Sequence, residues 1–139
     1  GVPLPSLEEH ARWVRDAATS CHHVLVEGAG GVLVELTDNA QNLADLAGAV
    51  GAACVVVARS ALGTLNHTLL TLEALERRGV PVLGIVIGAW PDSPSHLELT
   101  NRDYLAGLDV PLLGAVPAGA PALPDFAAQA SGWLPGFSR

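Results

Sequence analysis

Short, continuous runs of apolar residues, separated by helical patterns, constrain the fold of this chain more than any other feature. Three runs lie at residues 53–58, 82–87 and 112–116, and an earlier one, residues 24–26, ends at Glu27. Runs without polar alternation are typical of strands that are buried on both faces. Their spacing of about thirty residues, with helices between them, predicts βαβ units and therefore a parallel sheet flanked by helices.

Start and stop signals mark the helical patterns. Ser6 and Glu9 have the spacing of a capping box at the start of the first helix. Gly79, after two arginines, is typical of the end of the strongest helix. Helices are predicted over residues 7–21, 42–50, 65–78 and 97–108. The proline-containing tail after residue 116 carries no clear signal for any element.

The composition excludes several classes of protein. Half of the residues are apolar and 15% are charged, which excludes a disordered chain. The chain has seven basic and fourteen acidic residues, and this excess of negative charge argues against nucleic-acid binding of the usual basic type. No apolar run is long enough to predict a membrane span. Nothing at the N-terminus is typical of a secretory signal, so a reduced, cytoplasmic setting is expected.

The carboxyl ends of the predicted strands are the places where a parallel sheet binds ligands. Glu27 ends the first run and is followed by glycines through Gly31. A carboxylate there is well placed to hold Mg²⁺, and glycines let backbone N–H groups approach phosphate oxygens. A solvated acid beside a tight turn explains the same residues. The dinucleotide fingerprint fits poorly, because Leu33 stands where its third glycine belongs.

A second strand end leads through Gly63 into the strongest helix. Thr64 is predicted to cap this helix, whose first free N–H groups would form an anion site. An ordinary loop with a good cap explains this segment equally well. Tyr104, in a later helix, is read from the pattern alone as a half-buried packing residue.

Taken together, the segments resemble dethiobiotin synthetases. The resemblance lies in residues 26–34, 42–47 and 63–75, continues through 84–90 and 111–117, and covers nearly the whole chain. It implies a P-loop NTPase-like α/β fold and a homodimeric enzyme. That enzyme closes a ureido ring on 7,8-diaminopelargonate with CO₂ or bicarbonate, using Mg²⁺ and ATP or another nucleoside triphosphate. The diamine is carbamated, the carbamate is phosphorylated, and the second amine displaces phosphate.

The resemblance also implies roles for individual residues. Glu27 is the implied Mg²⁺ ligand, and Asp125 is the nearest match to an acid late in the family's sequence. The residues implied in nucleotide binding are Glu27, Gly28, Ala29, Gly30, Gly88, Ala89, Pro117, Ala118 and Gly119. Those implied in binding the substrate carboxylate are Gly63, Thr64, Leu65, Asn66 and Tyr104. Many members carry Asn, which reads adenine, in place of Gly88, so the base preference of this chain is open.

Two residue types are missing from the sequence. All seven basic residues are arginine, so the family's phosphate-loop lysine and its carbamate-assisting lysine have no counterpart. There is also no methionine. Residues 1–139 are therefore expected to be the C-terminal part of a single dethiobiotin synthetase-like domain that lacks the phosphate-loop strand. An internal fragment or a truncated gene product is expected, with no catalytic residue of its own and no activity in isolation.

Two alternatives belong to other classes. One is a non-catalytic remnant that keeps only dimerisation or ligand-binding surfaces. The other is a fragment of a cobyrinic acid amidation-type, ATP-dependent ligase, which would be revealed by a downstream glutaminase-like domain.

Overall fold

The structure, a computed structural model, describes residues 3–138. Its helices are α1 (Leu7–Ala18), α2 (Leu43–Val50), α3 (Thr64–Glu76), α4 (His96–Ala106) and α5 (Phe126–Trp133). Its strands are β1 (Cys54–Ala58), β2 (Val82–Trp90) and β3 (Leu112–Pro117), and 3₁₀ turns occupy Ala120–Ala122 and Pro135–Ser138. Within the described range, no helix is both long and apolar enough to cross a membrane.

The described residues divide into two compact units. The first comprises the chain up to Ala53 together with Glu73–Pro81, and the second comprises Cys54–Leu72 and the chain from Val82 onward. Helix α3 contributes its N-terminal part to the second unit and its C-terminal part to the first.

The second unit is built on a parallel sheet in the order β1-β2-β3. Ala58 lies opposite Ile87, and Trp90 at the end of β2 lies opposite Pro117. Ile85, Ile87 and Leu105 of α4 are fully buried and form its core. The parallel sheet flanked by helices, predicted from the spacing of the apolar runs, is confirmed.

Strand β1 differs from the prediction in its burial. Val56 and Ala58 are buried, but Val57 is 69% exposed. Successive side chains of a strand point to opposite faces of the sheet, and at β1 one face is covered and the other is not. The prediction of burial on both faces is therefore wrong for β1.

The tail forms structure that the sequence did not predict. Helix α5 and the turn after it lie directly on β3, where two glycines make room for them. A Cβ at Gly114, which has a φ of +155°, would collide with the carbonyl oxygen of Trp133. A Cβ at Gly136 would lie 2.6 Å from Leu113 Cα. The backbones approach too closely for side chains at either position.

The first unit packs α1 against α2. Ala11 of α1 and Leu46 of α2 are buried, and Arg15 donates a hydrogen bond to the carbonyl oxygen of Ala49 at 3.2 Å. The capping box predicted at the start of α1 is confirmed, because Ser6 Oγ accepts from the Glu9 N–H at 3.3 Å.

The predicted strand at residues 24–26 is wrong. This segment is irregular, and Leu25 is 98% exposed. A strand exists only through hydrogen bonds to a neighbour, and no backbone hydrogen bond within the described range involves residues 22–30. The next apolar run forms a turn, in which Val34 N donates to Gly31 O at 3.1 Å.

Candidate functional site

A cleft opens at the carboxyl ends of β1 and β2, the edge at which a parallel sheet is expected to bind ligands. Its volume is about 330 Å³, and it is lined by Val57, Ala58, Arg59, Ser60, Ala61, Gly88 and Ala89. Arg59 forms no ion pair with any other residue in the described range. The cleft therefore combines apolar walls with one uncompensated cation, a lining that suits a ligand with both apolar and anionic parts.

The residues implied in binding the base lie together at the ends of β2 and β3. The Ala118 N–H donates to the carbonyl oxygen of Trp90 at 2.7 Å, and Gly119 takes a left-handed φ of +78° to turn the chain. At Gly88, a Cβ would lie 2.7 Å from Val57 Cγ1. Only backbone atoms of residue 88 therefore line the cleft, and a side chain at this position would require Val57 to move.

The start of α3 has no side-chain cap. Helix α3 begins at Thr64, and Gly63 occupies the cap position with a φ of +89°. The prediction that Thr64 caps the helix is wrong, because Thr64 is already helical. Thr64 is only 3% exposed, and its Oγ1 has no hydrogen-bond partner within residues 3–138. Free backbone N–H groups of the first turn and the buried Thr64 hydroxyl therefore lie at the same place in the fold. None of them has a side-chain partner there.

Helix α4 holds the loop that leads to α3. Ser60 Oγ donates to Glu98 Oε1 at 2.9 Å, and Asn101 Nδ2 donates to the Ser60 carbonyl at 2.9 Å. The hydrogen bond from the Ser95 N–H, then those from the Ser95 and Ser60 hydroxyls, hold the pKa of Glu98 below its usual range. The sequence prediction missed Glu98 and Asn101. The capping-box spacing of Ser95 and Glu98 was the only available signal.

Tyr104 and Asp125 make no contact that supports the roles implied for them. Tyr104 lies on α4 with 47% of its surface exposed, and its hydroxyl forms no hydrogen bond to another described residue. Asp125 precedes α5, and its side chain does not cap that helix. Both roles stay predictions.

The remaining predicted site residues lie in the first unit. Glu27 is exposed, and its carboxylate forms no ion pair or hydrogen bond with any described residue. Gly30 has a φ of +92°, and a Cβ at Gly28 would lie 3.0 Å from Leu43 Cδ2. The glycine loop of residues 28–31 therefore lies against the start of α2.

The described side chains supply few metal ligands. Within residues 3–138, no three His, Cys, Asp or Glu side chains come together as a metal-binding group. Mg²⁺ bound with a nucleotide usually takes only one or two protein carboxylates and completes its shell with phosphates and water. The unengaged carboxylate of Glu27 fits that kind of site.

Comparisons with known proteins agree with the resemblance stated from the sequence. The family profile described as "AAA domain" matches residues 7–122. A protein of Mycobacterium avium (strain 104), named "ATP-dependent dethiobiotin synthetase BioD", is 51% identical over 88% of this chain and 54% of its own length. Proteins of the same name from Mycobacterium marinum (strain ATCC BAA-535 / M) and Rhodococcus erythropolis (strain PR4 / NBRC 100887) are 47% and 46% identical.

The chain covers only part of each of these relatives. The Mycobacterium marinum match covers 95% of this chain and 59% of the relative. The corresponding shares for Rhodococcus erythropolis are 96% and 60%. The resemblance to dethiobiotin synthetases is thereby confirmed for a chain that spans little more than half their length.

Proposed function

The chain belongs to the family of AAA domains, which are of the P-loop NTPase type, and we propose that it forms part of a dethiobiotin synthetase. In this proposal, the enzyme closes the ureido ring of dethiobiotin from 7,8-diaminopelargonate, CO₂ or bicarbonate, and a nucleoside triphosphate. The observation that carries the proposal is the uncapped start of α3, Gly63–Asn66, which has the properties of a carboxylate site.

The start of α3 would bind the substrate's carboxylate through groups that otherwise lack partners. A buried hydroxyl without a partner costs about 1–3 kcal/mol, and a carboxylate accepting from Thr64 Oγ1 would remove that cost. The N-terminus of a helix adds roughly 0.3–1 kcal/mol for an exposed anion. In a homodimer, the state that the resemblance implies, this site would serve a substrate that extends from the neighbouring subunit.

The nucleotide would be held by the remaining site residues. The resemblance assigns Gly28, Ala29 and Gly30 of the first unit to the phosphates, which their backbone N–H groups would contact. It assigns Gly88, Ala89 and residues 117–119 of the second unit to the base. Glu27 would hold Mg²⁺, which, when bound, neutralises charge on the phosphates during transfer to the carbamate. The contributions of this chain are therefore binding and orientation.

The proposed function is tested directly with the full-length product of the gene that encodes this chain. The purified protein is given the diamine, bicarbonate, Mg²⁺ and ATP, and dethiobiotin is measured by mass spectrometry. Formation of dethiobiotin with stoichiometric release of ADP and phosphate is expected. Hydrolysis of ATP without ring closure would contradict the proposal.

A Gly63→Val substitution is expected to weaken binding of the diamine selectively. Valine does not tolerate the φ of +89° at this position, so the start of α3 must shift. Losing the helix-terminus site should raise the KM for the diamine about tenfold and leave the KM for the nucleotide nearly unchanged. Steady-state kinetics of the full-length protein, with each substrate varied in turn, measures both constants.

Gly79→Val is the matched control for this substitution. Gly79 follows the opposite end of α3 and has a φ of +65°, and a Cβ at this position would meet no heavy atom within 4 Å. The substitution therefore introduces the same backbone strain away from the carboxylate site. Equal effects of the two substitutions on the KM for the diamine would contradict the proposed site.

Gly88 is expected to make the enzyme permissive for the nucleotide base. A side-chain amide rejects a wrong base by leaving polar groups unpaired, and glycine has no such group. Turnover with CTP or GTP is expected within about tenfold of turnover with ATP, or roughly 1.4 kcal/mol of discrimination. A thousandfold preference for ATP would mean that another group reads adenine.

The contact between position 88 and Val57 suggests how base selectivity can be introduced. Gly88→Asn alone places a side chain against Val57, so it should reduce turnover with every nucleotide. Combining it with Val57→Ala opens the space and should raise the preference for ATP. The ratio of kcat/KM values for ATP and CTP in the single and double variants measures this effect.

A further inference from the structure

We infer that Asn101 of α4, assisted by Glu98, is a positioning residue for the carboxylate site, because it fixes the loop from which α3 starts. The inference rests on the proposed function for the identity of the ligand. The hydrogen bonds that hold the loop do not depend on which ligand binds. Asn101 touches neither the proposed substrate nor the nucleotide residues, and would act only through the backbone of the loop.

Asn101 is placed to hold the loop backbone. The residue is only 5% exposed, and its Nδ2 donates to the carbonyl oxygens of Ser60 at 2.9 Å and Ala61 at 3.4 Å. A buried side-chain amide that donates to two successive carbonyls restrains the direction of both peptide groups. Losing it would leave the carbonyl of Ser60, a residue that is only 8% exposed, without this partner, at a substantial cost.

One shared acceptor connects Asn101 to the carboxylate site. The Ala61 carbonyl, which accepts from Asn101, also accepts from the backbone N–H of Thr64 at 3.2 Å. Thr64 is the residue whose buried hydroxyl has no partner among the described residues. A change in the direction of the Ala61 carbonyl therefore moves the first residue of α3 and with it the groups that would contact the carboxylate.

Glu98 provides the second restraint. Its Oε1 accepts from Ser60 Oγ, while its Oε2 accepts from the N–H and hydroxyl of Ser95, both at 2.8 Å. The N-terminus of α4 thus fixes the carboxylate that holds the loop. A hydrogen bond to an ionised acceptor is stronger than one between neutral groups.

Nothing else in the described range holds this loop by a side chain. Every side-chain hydrogen bond that reaches residues 59–63 comes from α4, through Glu98 or Asn101. The other hydrogen bonds of the loop are internal, such as Thr64 N to Ala61 O. The side-chain hydrogen bonds that restrain the loop before α3 therefore come from two residues of one helix.

The test compares Asn101→Asp with Thr100→Ala in the full-length protein. Asp keeps the shape of Asn but replaces the donor with an oxygen that repels the two carbonyls. Thr100 is the adjacent residue of α4, and its hydroxyl bonds only to His96 O within the helix, so its loss leaves the loop untouched. The first measurement is amide hydrogen exchange of residues 60–66 without any ligand.

We expect exchange across residues 60–66 to be at least about tenfold faster in Asn101→Asp than in Thr100→Ala, with the amides of residues 85–87 unchanged. Loop exchange equal to that of Thr100→Ala would overturn the inference. Faster exchange that extends equally to β2 would also overturn it, because Asn101 would then stabilise the fold as a whole. Should Asn101→Asp not give folded protein, Asn101→Ala, which removes the donor to both carbonyls without adding a charge, is measured with the same two outcomes.

The second measurement is kinetic and separates positioning from general damage. The KM for the diamine should rise about tenfold in Asn101→Asp, while kcat and the KM for ATP change less than about twofold. A fall in kcat with an unchanged KM for the diamine would overturn the inference. If the wild-type protein makes no dethiobiotin, the proposed function fails, but the exchange measurement still decides whether Asn101 positions the loop.

Discussion

Residues 1–139 alone are expected to form no dethiobiotin when they are supplied with the diamine, bicarbonate, Mg²⁺ and ATP. Transfer of a phosphoryl group to the carbamate requires a cation of the protein on the nucleotide phosphates in addition to Mg²⁺, and the sequence contains no lysine. Arginine is a poor substitute, because it is a bulky planar group and not a compact point charge. Turnover should therefore be below detection, which is the largest effect that we predict.

The arginines are also largely engaged elsewhere. Four of them form ion pairs with carboxylates: Arg15 with Glu8, Arg77 with Glu73, Arg78 with Asp45, and Arg102 with Asp103. Arg59 lines the cleft without an ion pair and is the one described arginine placed at a proposed ligand site. A single guanidinium there stands against the two lysines that the resemblance implies for the phosphates and the carbamate.

The isolated chain should also associate. Val57 and Leu25 expose most of their apolar surface, and a low content of charge gives little protection against aggregation. Light scattering of the isolated chain should report oligomers or aggregates that grow with concentration. A monodisperse monomer would mean that these exposed side chains do not drive association.

The activity measurement has two arms. In the first, residues 1–139 are assayed alone, and any dethiobiotin above background would contradict the prediction. In the second, the chain is mixed with the N-terminal part of the Mycobacterium avium relative, the part that carries the phosphate loop according to the resemblance. Activity in the mixture alone would support the view that this chain supplies only part of the site. No activity in the mixture would favour a non-catalytic remnant.

The sheet could be predicted from the sequence because its signals are local. The runs at β1, β2 and β3 are apolar and are bounded by turn residues, and helices with visible end signals separate them. The run at residues 24–26 has the same appearance and still forms no strand. Its residues resemble those of the other strands, but a strand also requires a partner, and a partner is not a property of the run itself.

The candidate site could be predicted only in part, for a similar reason. The glycines at positions 63, 88 and 119 follow from the strand ends. The hydrogen bonds of Ser60 with Glu98 and Asn101 join residues that are 38 and 41 positions apart. No local pattern predicts such a contact. The prediction for Thr64 failed because the left-handed φ of Gly63 places the helix start at Thr64 itself.

Glu27→Gln in the full-length protein is expected to reduce kcat about a hundredfold or more, with the KM for the diamine changed less than about twofold. Glu27 follows an apolar run and precedes the glycine loop, and its carboxylate is not engaged by any other described side chain. No ion pair within the described range engages this acid, so its carboxylate is free for the Mg²⁺ that the resemblance implies.

Glu35→Gln is the matched control, because Glu35 lies in the same unit, is also exposed, and would lose the same charge. Both variants are assayed over a range of Mg²⁺ concentrations. A metal ligand should raise the Mg²⁺ concentration needed for half-maximal turnover, whereas a remote charge should not. Equal behaviour of the two variants would mean that Glu27 is only a solvated loop acid.

A Glu27→Asp variant separates the charge from its position. Aspartate keeps the negative charge, but its side chain is one methylene shorter. Direct coordination of Mg²⁺ should therefore be weakened, whereas long-range electrostatic attraction should be retained. We therefore expect Glu27→Asp to need more Mg²⁺ than wild type but to recover much of the turnover at saturation, because Mg²⁺ keeps water in its shell that can bridge a short gap. Wild-type turnover by Glu27→Gln at saturating Mg²⁺ would contradict the assignment, since no carboxylate would then be needed.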